Sequence, residues 1–177
     1  MTPQELSTHL HAQAYDKLYQ DIQCLGLVGY SKSHKSWATI QNIIDWKGLS
    51  VIELGCFHGY FCFRAEQTGA IKVLGLDILG TVLETTRKIA KLEESDAVFQ
   101  QWNDTQEIPP GDVTLCLNAL HHFSDPLGCL QRIQSERAIF EVNLGQTEMI
   151  SSVFEIESHH ASHRKNRTII LGRKRME

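Results

Sequence analysis

VIELGCFHGYFCFRA, residues 51–65, is the stretch that decides the fold. It begins with an apolar run of strand length, turns at a segment that contains Gly55 and Gly59, and continues for the length of a helix. Glycine at such a turn lets the backbone bend sharply and approach a ligand, while the first amides of the next helix are free to bind polar groups. The pattern indicates a nucleotide-binding loop, but a Gly-rich turn alone also fits an ordinary turn.

Polar residues that follow the next two predicted strands favour the nucleotide interpretation. Asp77 ends the run KVLGLD about 20 residues after Gly55, where a carboxylate can accept hydrogen bonds from ribose hydroxyls. Asn103 and Asp104 follow the third strand, where an amide or an acid can accept from an adenine amino group. Taken separately, Asp77 also fits a helix cap, and the Asn103–Asp104 pair also fits a surface turn.

The loop distinguishes between two nucleotide cofactors. Glu53 lies inside an otherwise apolar strand, where a buried carboxylate is costly unless a group such as a ligand cation needs it. A dinucleotide fingerprint would require glycine at Phe57 and glycine or alanine at Tyr60. The loop therefore disfavours NAD and favours a nucleoside with a sulfonium and an ammonium group, which S-adenosylmethionine has.

Beyond Gly48, strand-length apolar runs alternate with helix-length amphipathic segments. This alternation predicts an α/β fold of Rossmann-like, doubly wound type, with a mostly parallel seven-stranded sheet and helices on both faces. The last two strands, SVFEIES and RTIILGRK, are joined only by HHASHRKN, so they predict a C-terminal antiparallel hairpin. Helices are predicted over residues 59–69, 80–92 and 126–134.

The N-terminal part is predicted to be helical. Apolar residues recur every three or four positions over residues 3–25, the period of one helical face. A Gly- and Ser-rich loop, GLVGYSKSHKS, leads into a second predicted helix over residues 37–45. We therefore expect residues 1–47 to form a helical cap or substrate segment, and residues 48–177 to form the cofactor-binding domain of a single globular unit.

Composition places the chain among ordinary globular proteins. Its 177 residues suit one domain, with 42% hydrophobic and 21% charged residues. The net charge of -4 argues against wholesale nucleic-acid coating, although the basic C-terminal stretch fits either a phosphate contact or a solvated turn. Five cysteines without a CxxC pair fit a reducing compartment. With neither a signal peptide nor a membrane-length apolar run, we expect a cytoplasmic protein without a membrane partner.

The first strand and loop resemble those of the class I S-adenosylmethionine methyltransferases, which read roughly V-L-D/E-L-G-C-G-x-G. The chain departs from that pattern at Phe57, where a glycine is usual. It is most similar to the branch related to tRNA wobble-uridine methyltransferases, through GCFHGYFCFRAEQTGAIKVLGLD, DVTLCLNALHHFSDPLGCL and SHRKNRTIILGRK. The resemblance covers residues 46–174. The matching positions of the first strand and loop are Val51, Glu53, Leu54, Gly55, Cys56 and Gly59.

This resemblance implies a role for each cofactor-binding residue. Glu53, Gly55 and Gly59 would surround the methionine part of S-adenosylmethionine, and Cys56 of the same loop is a further expected cofactor-binding residue. Asp77 would hold the ribose. The remaining expected cofactor residues are Ile78 and Asp104 at the adenine, and Asn118 beside the sulfonium.

Histidines suggest two further kinds of site. His121 and His122 follow the fourth strand at the expected ligand crevice, where either could accept a proton from a methyl acceptor near neutral pH. They also fit a packing or capping role at the start of the next helix. His159, His160 and His163 invite a metal interpretation, but neighbours in a strand point to opposite faces and no Cys or Asp completes a ligand set. We expect no metal.

The sequence leaves two hypotheses for function. In the first, the chain methylates a small molecule or a nucleotide in RNA, with the acceptor held between the N-terminal segment and the loop containing His121 and His122. In the second, it is a catalytically silent partner or regulatory subunit that binds S-adenosylmethionine. Because the chain lacks inserted substrate-recognition elements, specificity must come from residues 1–47 or from a second subunit, either a homodimer partner or another protein.

Overall fold

Seven strands form one mixed sheet in the computed structural model, which describes residues 2–12 and 18–175. The strand order is β3-β2-β1-β4-β5-β7-β6, in which β7 pairs antiparallel with both β5 and β6 and the other pairs are parallel. This arrangement confirms the predicted fold class and the C-terminal hairpin. The strands are β1 (Ser50–Leu54), β2 (Lys72–Asp77), β3 (Val98–Gln101), β4 (Val113–Leu117), β5 (Arg137–Asn143), β6 (Phe154–Ala161) and β7 (Arg167–Lys174).

Helices cover both faces of the sheet because successive strand residues point to opposite sides. In β1, for example, Val51 and Ile52 belong to two different buried apolar clusters. One cluster packs against α1 to α4, and the other packs against α5 and α6. The helices are α1 (Pro3–Ala12), α2 (Ser33–Ile40), α3 (Tyr60–Gln67), α4 (Gly80–Leu92), α5 (Pro126–Arg132) and α6 (Thr147–Val153).

The order of the strands places a crevice beside β1. From β1 the chain crosses to β2 and β3 on one side, and then returns to β4 on the other side. Ligands of open α/β sheets bind where the strand order reverses in this way, outside the carboxyl ends of the strands. The loops that follow β1 and β4 therefore face one another across the expected ligand site.

The first N-terminal helix is shorter than the sequence predicts. Its described part is Pro3–Ala12, residues 13–17 lie outside the described part of the chain, and Gln23–Leu25 is a single 3-10 turn. Ile22 instead forms an antiparallel bridge with Leu27, closed around Gly26 at φ +65°. The prediction of a helix over residues 3–25 was wrong here because burial of Ile22 maintained the apolar spacing without a helical backbone.

The second helix begins earlier and ends earlier than predicted, at Ser33 and Ile40 instead of residues 37 and 45. The carboxylate of Asp21 accepts hydrogen bonds from the backbone amides of Gly29 and His34, at 2.7 and 2.8 Å. It thus satisfies an amide in the first turn of α2 from outside the helix. At the other end, the indole of Trp46 donates to the carbonyl of Gln41 at 3.1 Å, after the last helical residue.

Two boundaries near the C-terminus also differ. The strand predicted from SVFEIES starts at Phe154, because Ser152 and Val153 belong to α6, a helix that the sequence analysis missed. The helix predicted over residues 126–134 ends at Arg132. Within the described residues, no helix has the length and apolar character needed to cross a membrane.

Candidate functional site

A cleft of about 450 Å³ opens at the carboxyl ends of the parallel strands. Its size falls within the range of about 300–1,000 Å³ that is usual for small-molecule sites. Four predicted residues, Glu53, Cys56, Gly59 and His121, are not part of the cleft wall. The structure does bring the other predicted site residues together on this wall: Gly55, Asp77, Ile78, Asp104, Asn118 and His122.

Asp77 connects the end of β2 to the loop after β1. Its Oδ2 atom accepts a hydrogen bond from the backbone amide of Phe57 at 2.8 Å, and its Oδ1 atom accepts one from the amide of Leu79 at 3.0 Å. The residue is buried, yet it lines the cleft. Each carboxylate oxygen can accept more than one hydrogen bond, so Asp77 can hold the loop and also bind hydroxyl groups of a ligand.

Phe57, which stands where glycine is usual, adopts a left-handed backbone with φ +50°. This conformation costs an L-residue roughly 1–2 kcal/mol. Asp77 binds its amide, and the hydroxyl of Thr86 donates to its carbonyl at 2.8 Å. The Phe57 ring also meets the Tyr19 ring edge-on, with 5.3 Å between centroids. The loop therefore retains its turn without the usual glycine because its neighbours fix both peptide groups.

The two glycines of the loop are required mainly by protein packing. Gly55 has φ +72°, and a Cβ atom there would lie 2.6 Å from the Cβ atom of Ala119 in the loop after β4. Gly59 has φ +79°, and a Cβ atom there would lie 2.9 Å from the Phe99 ring. Cys56, between them, is fully buried, and its amide donates to the carbonyl of Leu76. Burial raises the pKa of the Cys56 thiol, so this thiol is not a reactive group.

Replacing Gly55 should therefore lower the free energy of unfolding more than replacing a glycine of similar conformation that has open space around it. Gly48 has φ +80°, and a Cβ atom there would meet nothing within 4 Å. We expect Gly48→Ala to lower the free energy of unfolding by about 1–2 kcal/mol, because alanine disfavours the left-handed backbone. Gly55→Ala should cost about 1–3 kcal/mol more because it overpacks against Ala119. Urea unfolding of the two variants measures the difference, and equal losses would contradict the packing argument.

Glu53 lies beneath the cleft and not on its wall. It is 1% exposed, and the thiol of Cys62 donates to its Oε2 atom at 2.9 Å. Burial raises the pKa of Glu53 to about 8, against the opposing effect of the Cys62 hydrogen bond, and the nearby charge of Asp77 raises it further. The carboxyl group is therefore neutral when no cation is near, and an approaching cation favours its ionised form.

This shifted pKa predicts how stability depends on pH. An ordinary glutamate in the unfolded chain titrates near 4.5, whereas folded Glu53 titrates near 8. Between these values the folded protein retains a proton that the unfolded chain loses, so Glu53 lowers stability progressively as the pH rises from about 4.5 to about 8. Glu53→Gln should remove this dependence, which urea unfolding at several pH values would detect. Parallel pH profiles for the wild type and Glu53→Gln would contradict the assignment, and Glu84→Gln, on the exposed side of α4, serves as the control.

Residues after β2 and β3 also line the cleft. Ile78 and Leu79 are exposed at its edge, at 60% and 40%. Asp104 accepts hydrogen bonds at Oδ2 from the Ser124 hydroxyl and the Asp125 amide, both at 2.9 Å. Partial desolvation opposes these bonds, but together they hold the pKa of Asp104 below its usual range. Asp104 thus connects the loop after β3 to the loop after β4.

The loop after β4 presents Asn118 and a pair of histidines. Asn118 has φ +59°, and its side-chain amide lies between the carboxylate of Glu141 and the guanidinium of Arg167. The rings of His121 and His122 lie 3.9 Å apart between centroids and are tilted by 40°, and only His122 reaches the cleft wall. Burial, then the charges of His122, Arg167 and Arg164, lower the pKa of His121.

Residues 18–36 supply a part of the cleft wall, as expected for the N-terminal segment, through side chains that the sequence did not single out. Ser31, Ser33 and Ser36 are buried and line the cleft, while the charged residues interleaved with them point outward. Tyr19 and Tyr30 line it too and meet edge-on, with 5.2 Å between ring centroids. The alternation of serine with Lys32, His34 and Lys35 was the available signal, but nothing local shows which set faces inward.

The histidines near the C-terminus serve other contacts. The Nε2 atom of His163 lies 3.0 Å from the carbonyl oxygen of Ser31, and that of His160 lies 2.8 Å from the Ser158 hydroxyl. Among residues 2–12 and 18–175, no group of three or more His, Cys, Asp or Glu side chains is arranged to hold a metal ion.

The cleft wall carries acidic side chains. Two carboxylates, Asp77 and Asp104, contribute to it, and none of the described residues that line it is a lysine or an arginine. A pyrophosphate would lack a cationic partner on such a wall, whereas a ligand with sulfonium and ammonium groups would be attracted to it. The arrangement fits a cationic nucleoside.

A family model described as a methyltransferase domain matches residues 45–165. A curated relative, the tRNA U34 carboxymethyltransferase of Campylobacter hominis, is 26% identical over 108 residues. That match covers 59% of this chain but only 38% of the relative, so the chain spans well under half the length of this relative.

Solved structures with the same fold extend the comparison. The PH0226 protein of Pyrococcus horikoshii OT3 gives a TM-score of 0.71 at 15% identity, covering 82% of this chain and 90% of that one. An S-adenosylmethionine-dependent methyltransferase of Mesorhizobium loti gives 0.68 at 17% identity, covering 79% and 98%. The magnesium protoporphyrin IX methyltransferase of Synechocystis PCC 6803, crystallised with bound S-adenosylmethionine, gives 0.65 at 17% identity, covering 81% and 77%. At these identities the likeness concerns the fold.

Proposed function

The chain belongs to the methyltransferase domain family, whose methyl donor is S-adenosylmethionine, and we propose that its cleft holds this donor beside a methyl acceptor. The acceptor atom is an oxygen or nitrogen of a small molecule or of an RNA nucleotide. The observation that carries the proposal is the cleft wall itself, which has two carboxylates and, among the described residues, no lysine or arginine. Such a wall suits a cationic nucleoside and not a pyrophosphate.

Within this proposal, Asp77 binds the ribose hydroxyls, because its carboxylate lines the cleft while it holds the loop after β1. Ile78 and Asp104 flank the adenine. Gly55 and Asn118 lie at the methionine and sulfonium end. The remaining predicted cofactor residues act from behind the wall: Cys56 and Gly59 shape the loop, and Glu53 offers a carboxyl group that a nearby cation would ionise.

The acceptor half of the proposed site lies between the N-terminal segment and the loop after β4. S-adenosylmethionine, when bound, supplies a methyl group on a good leaving group, so the protein has to position the acceptor and exclude water. Tyr19 and Tyr30 offer aromatic surface to a planar acceptor, and His122 can accept its proton. This supports residues 1–47 as the substrate segment and residues 48–177 as the cofactor-binding domain.

Relatives support both acceptor classes. The Campylobacter hominis protein is named for a tRNA nucleotide, and the Synechocystis protein is named for a small tetrapyrrole. The wall formed by Tyr19, Tyr30 and three serines could receive either a nucleobase or a free aromatic molecule. We further propose a cytoplasmic location, because the five cysteines, at positions 24, 56, 62, 116 and 129, are all free thiols, as in a reducing compartment.

Calorimetry with S-adenosylmethionine and S-adenosylhomocysteine tests the cofactor assignment. We expect both to bind, and NAD not to bind. Asp77→Asn should weaken binding of both by roughly 10- to 100-fold, since a hydrogen bond to a charged group contributes about 1.5–3 kcal/mol. The exposed carboxylate of Asp96 provides a matched control, and Asp96→Asn should bind like the wild type. An intact wild-type protein that binds neither nucleoside would refute the proposal.

The two adjacent histidines provide a second test, once incubation with methyl-labelled cofactor and fractionated RNA or metabolites has identified the acceptor. His122→Ala should lower kcat by about 10²–10⁴-fold if its imidazole is the general base. His121→Ala should have a much smaller effect, because His121 does not reach the cleft wall. Equal decreases of kcat in both variants would indicate that the two histidines have a packing role. Label in the RNA fraction alone would exclude a small-molecule acceptor.

A further inference from the structure

Asn118 holds a fixed position between two oppositely charged side chains. Its Nδ2 atom donates to the Oε2 atom of Glu141, and its Oδ1 atom accepts from the guanidinium of Arg167. A flipped amide would point its oxygen at the carboxylate and its nitrogen at the guanidinium, which is unfavourable at both ends. The side chain therefore has one orientation, and it is part of the cleft wall.

Glu141 is buried beneath this wall. It lies on β5 in register with Leu117, the last residue of β4, and its carbonyl accepts the backbone amide of Asn118 at 2.8 Å. The side chain has no exposed surface. The Ser36 hydroxyl donates to Oε2 at 2.9 Å, and the Ser162 hydroxyl donates to Oε1 at 2.5 Å.

All three donors to Glu141 are neutral, from an amide and two hydroxyls. Among the described residues, no lysine, arginine or histidine lies within ion-pair distance of its carboxylate. Three donors satisfy an ionised carboxylate without cancelling its charge. The negative charge therefore acts on the adjacent cleft, where low-dielectric surroundings screen it less than water would.

Arg167 opposes this charge from the other side of Asn118. It is partly buried, and its guanidinium makes no ion pair among the described residues. Burial and the repulsion of Arg164 lower the pKa of Arg167, while the attraction of Glu141 acts in the opposite sense. A cation bound next to Asn118 would be attracted by Glu141 and repelled by Arg167, whereas a neutral ligand would respond to neither charge.

We propose that Glu141 is a positioning residue that, through Asn118 and against Arg167, makes the cleft prefer the sulfonium of S-adenosylmethionine over the neutral sulfur of S-adenosylhomocysteine. This role rests on the proposed function, because it requires the nucleoside to lie in the cleft with its sulfur near Asn118. Glu141 does not touch the ligand. It orients the carboxamide that does, and it supplies the charge that distinguishes donor from product.

The test is the ratio of the two dissociation constants, measured by calorimetry on the full chain. Glu141→Gln should weaken S-adenosylmethionine binding about 10-fold, with little change for S-adenosylhomocysteine, because one unit charge is lost at a poorly screened site. Arg167→Gln should shift the ratio in the opposite direction. Ser162→Ala removes one hydrogen bond to Glu141 but retains its charge, so it should affect both ligands alike. Glu157→Gln, which removes a carboxylate paired with Arg137 and Arg173, should leave the ratio unchanged.

Equal weakening of both ligands by Glu141→Gln, or shifts in the same direction for Glu141→Gln and Arg167→Gln, would overturn the proposal and leave Glu141 a structural role. If Glu141→Gln does not fold, the ratio of dissociation constants measured for Arg167→Gln tests the proposal by itself. An unchanged ratio in that variant overturns the proposal. A wild-type protein that binds neither nucleoside would refute the proposed function itself. A wild-type protein that binds both, with ratios insensitive to these charges, would refute only this inference.

Discussion

The hydrogen bond from the Phe57 amide to the carboxylate of Asp77 is the contact on which the rest of the site depends. It connects the loop after β1 to the end of β2, and it helps hold Phe57 in a left-handed conformation that the residue would otherwise avoid. The same carboxylate lines the cleft. Because one side chain both shapes the loop and lines the cleft, a change at Asp77 would alter the loop and the proposed ribose contact together.

Two buried glutamates show how hydrogen-bond partners decide the behaviour of a carboxyl group. Glu53 accepts a bond from one thiol, a weak donor, and burial raises its pKa to about 8. Glu141 is equally buried but accepts bonds from an amide and two hydroxyls. The protein therefore surrounds the first carboxyl group with one weak donor and the second with three stronger donors. The two acids therefore contribute to the cleft in different ways.

The sequence predicted those parts of the molecule whose determinants are local. The seven strands, α4 and the loop around Gly55 follow from apolar runs and glycines that are neighbours in the chain. The N-terminal helix boundaries could not be predicted, because Ile22 pairs with Leu27 and Asp21 binds the start of α2 from outside it. Glu141 gave the same signal as Glu53, an acid inside an apolar strand, but its partners at positions 36, 118 and 162 are brought together only by the fold.

The proposed cofactor half and the proposed acceptor half of the cleft are formed by different parts of the chain, which has a consequence for specificity. The cofactor half is built on strand ends and glycine turns that are fixed by the sheet and by packing against Ala119. The proposed acceptor half is formed by residues 18–36, which pack into the apolar core through Ile22 and meet the turn between β6 and β7 through polar side-chain contacts. In these contacts His163 bonds to the Ser31 carbonyl, and Arg164 bonds to the Tyr19 hydroxyl. The buried Ser36 hydroxyl also donates to Glu141 on β5, so this wall is attached to the sheet as well as to the turn. Because the two proposed halves use different residues, substitutions among residues 18–36 would change the acceptor wall without replacing the strand ends and glycine turns of the cofactor half, so selection of the acceptor can vary on a constant cofactor site.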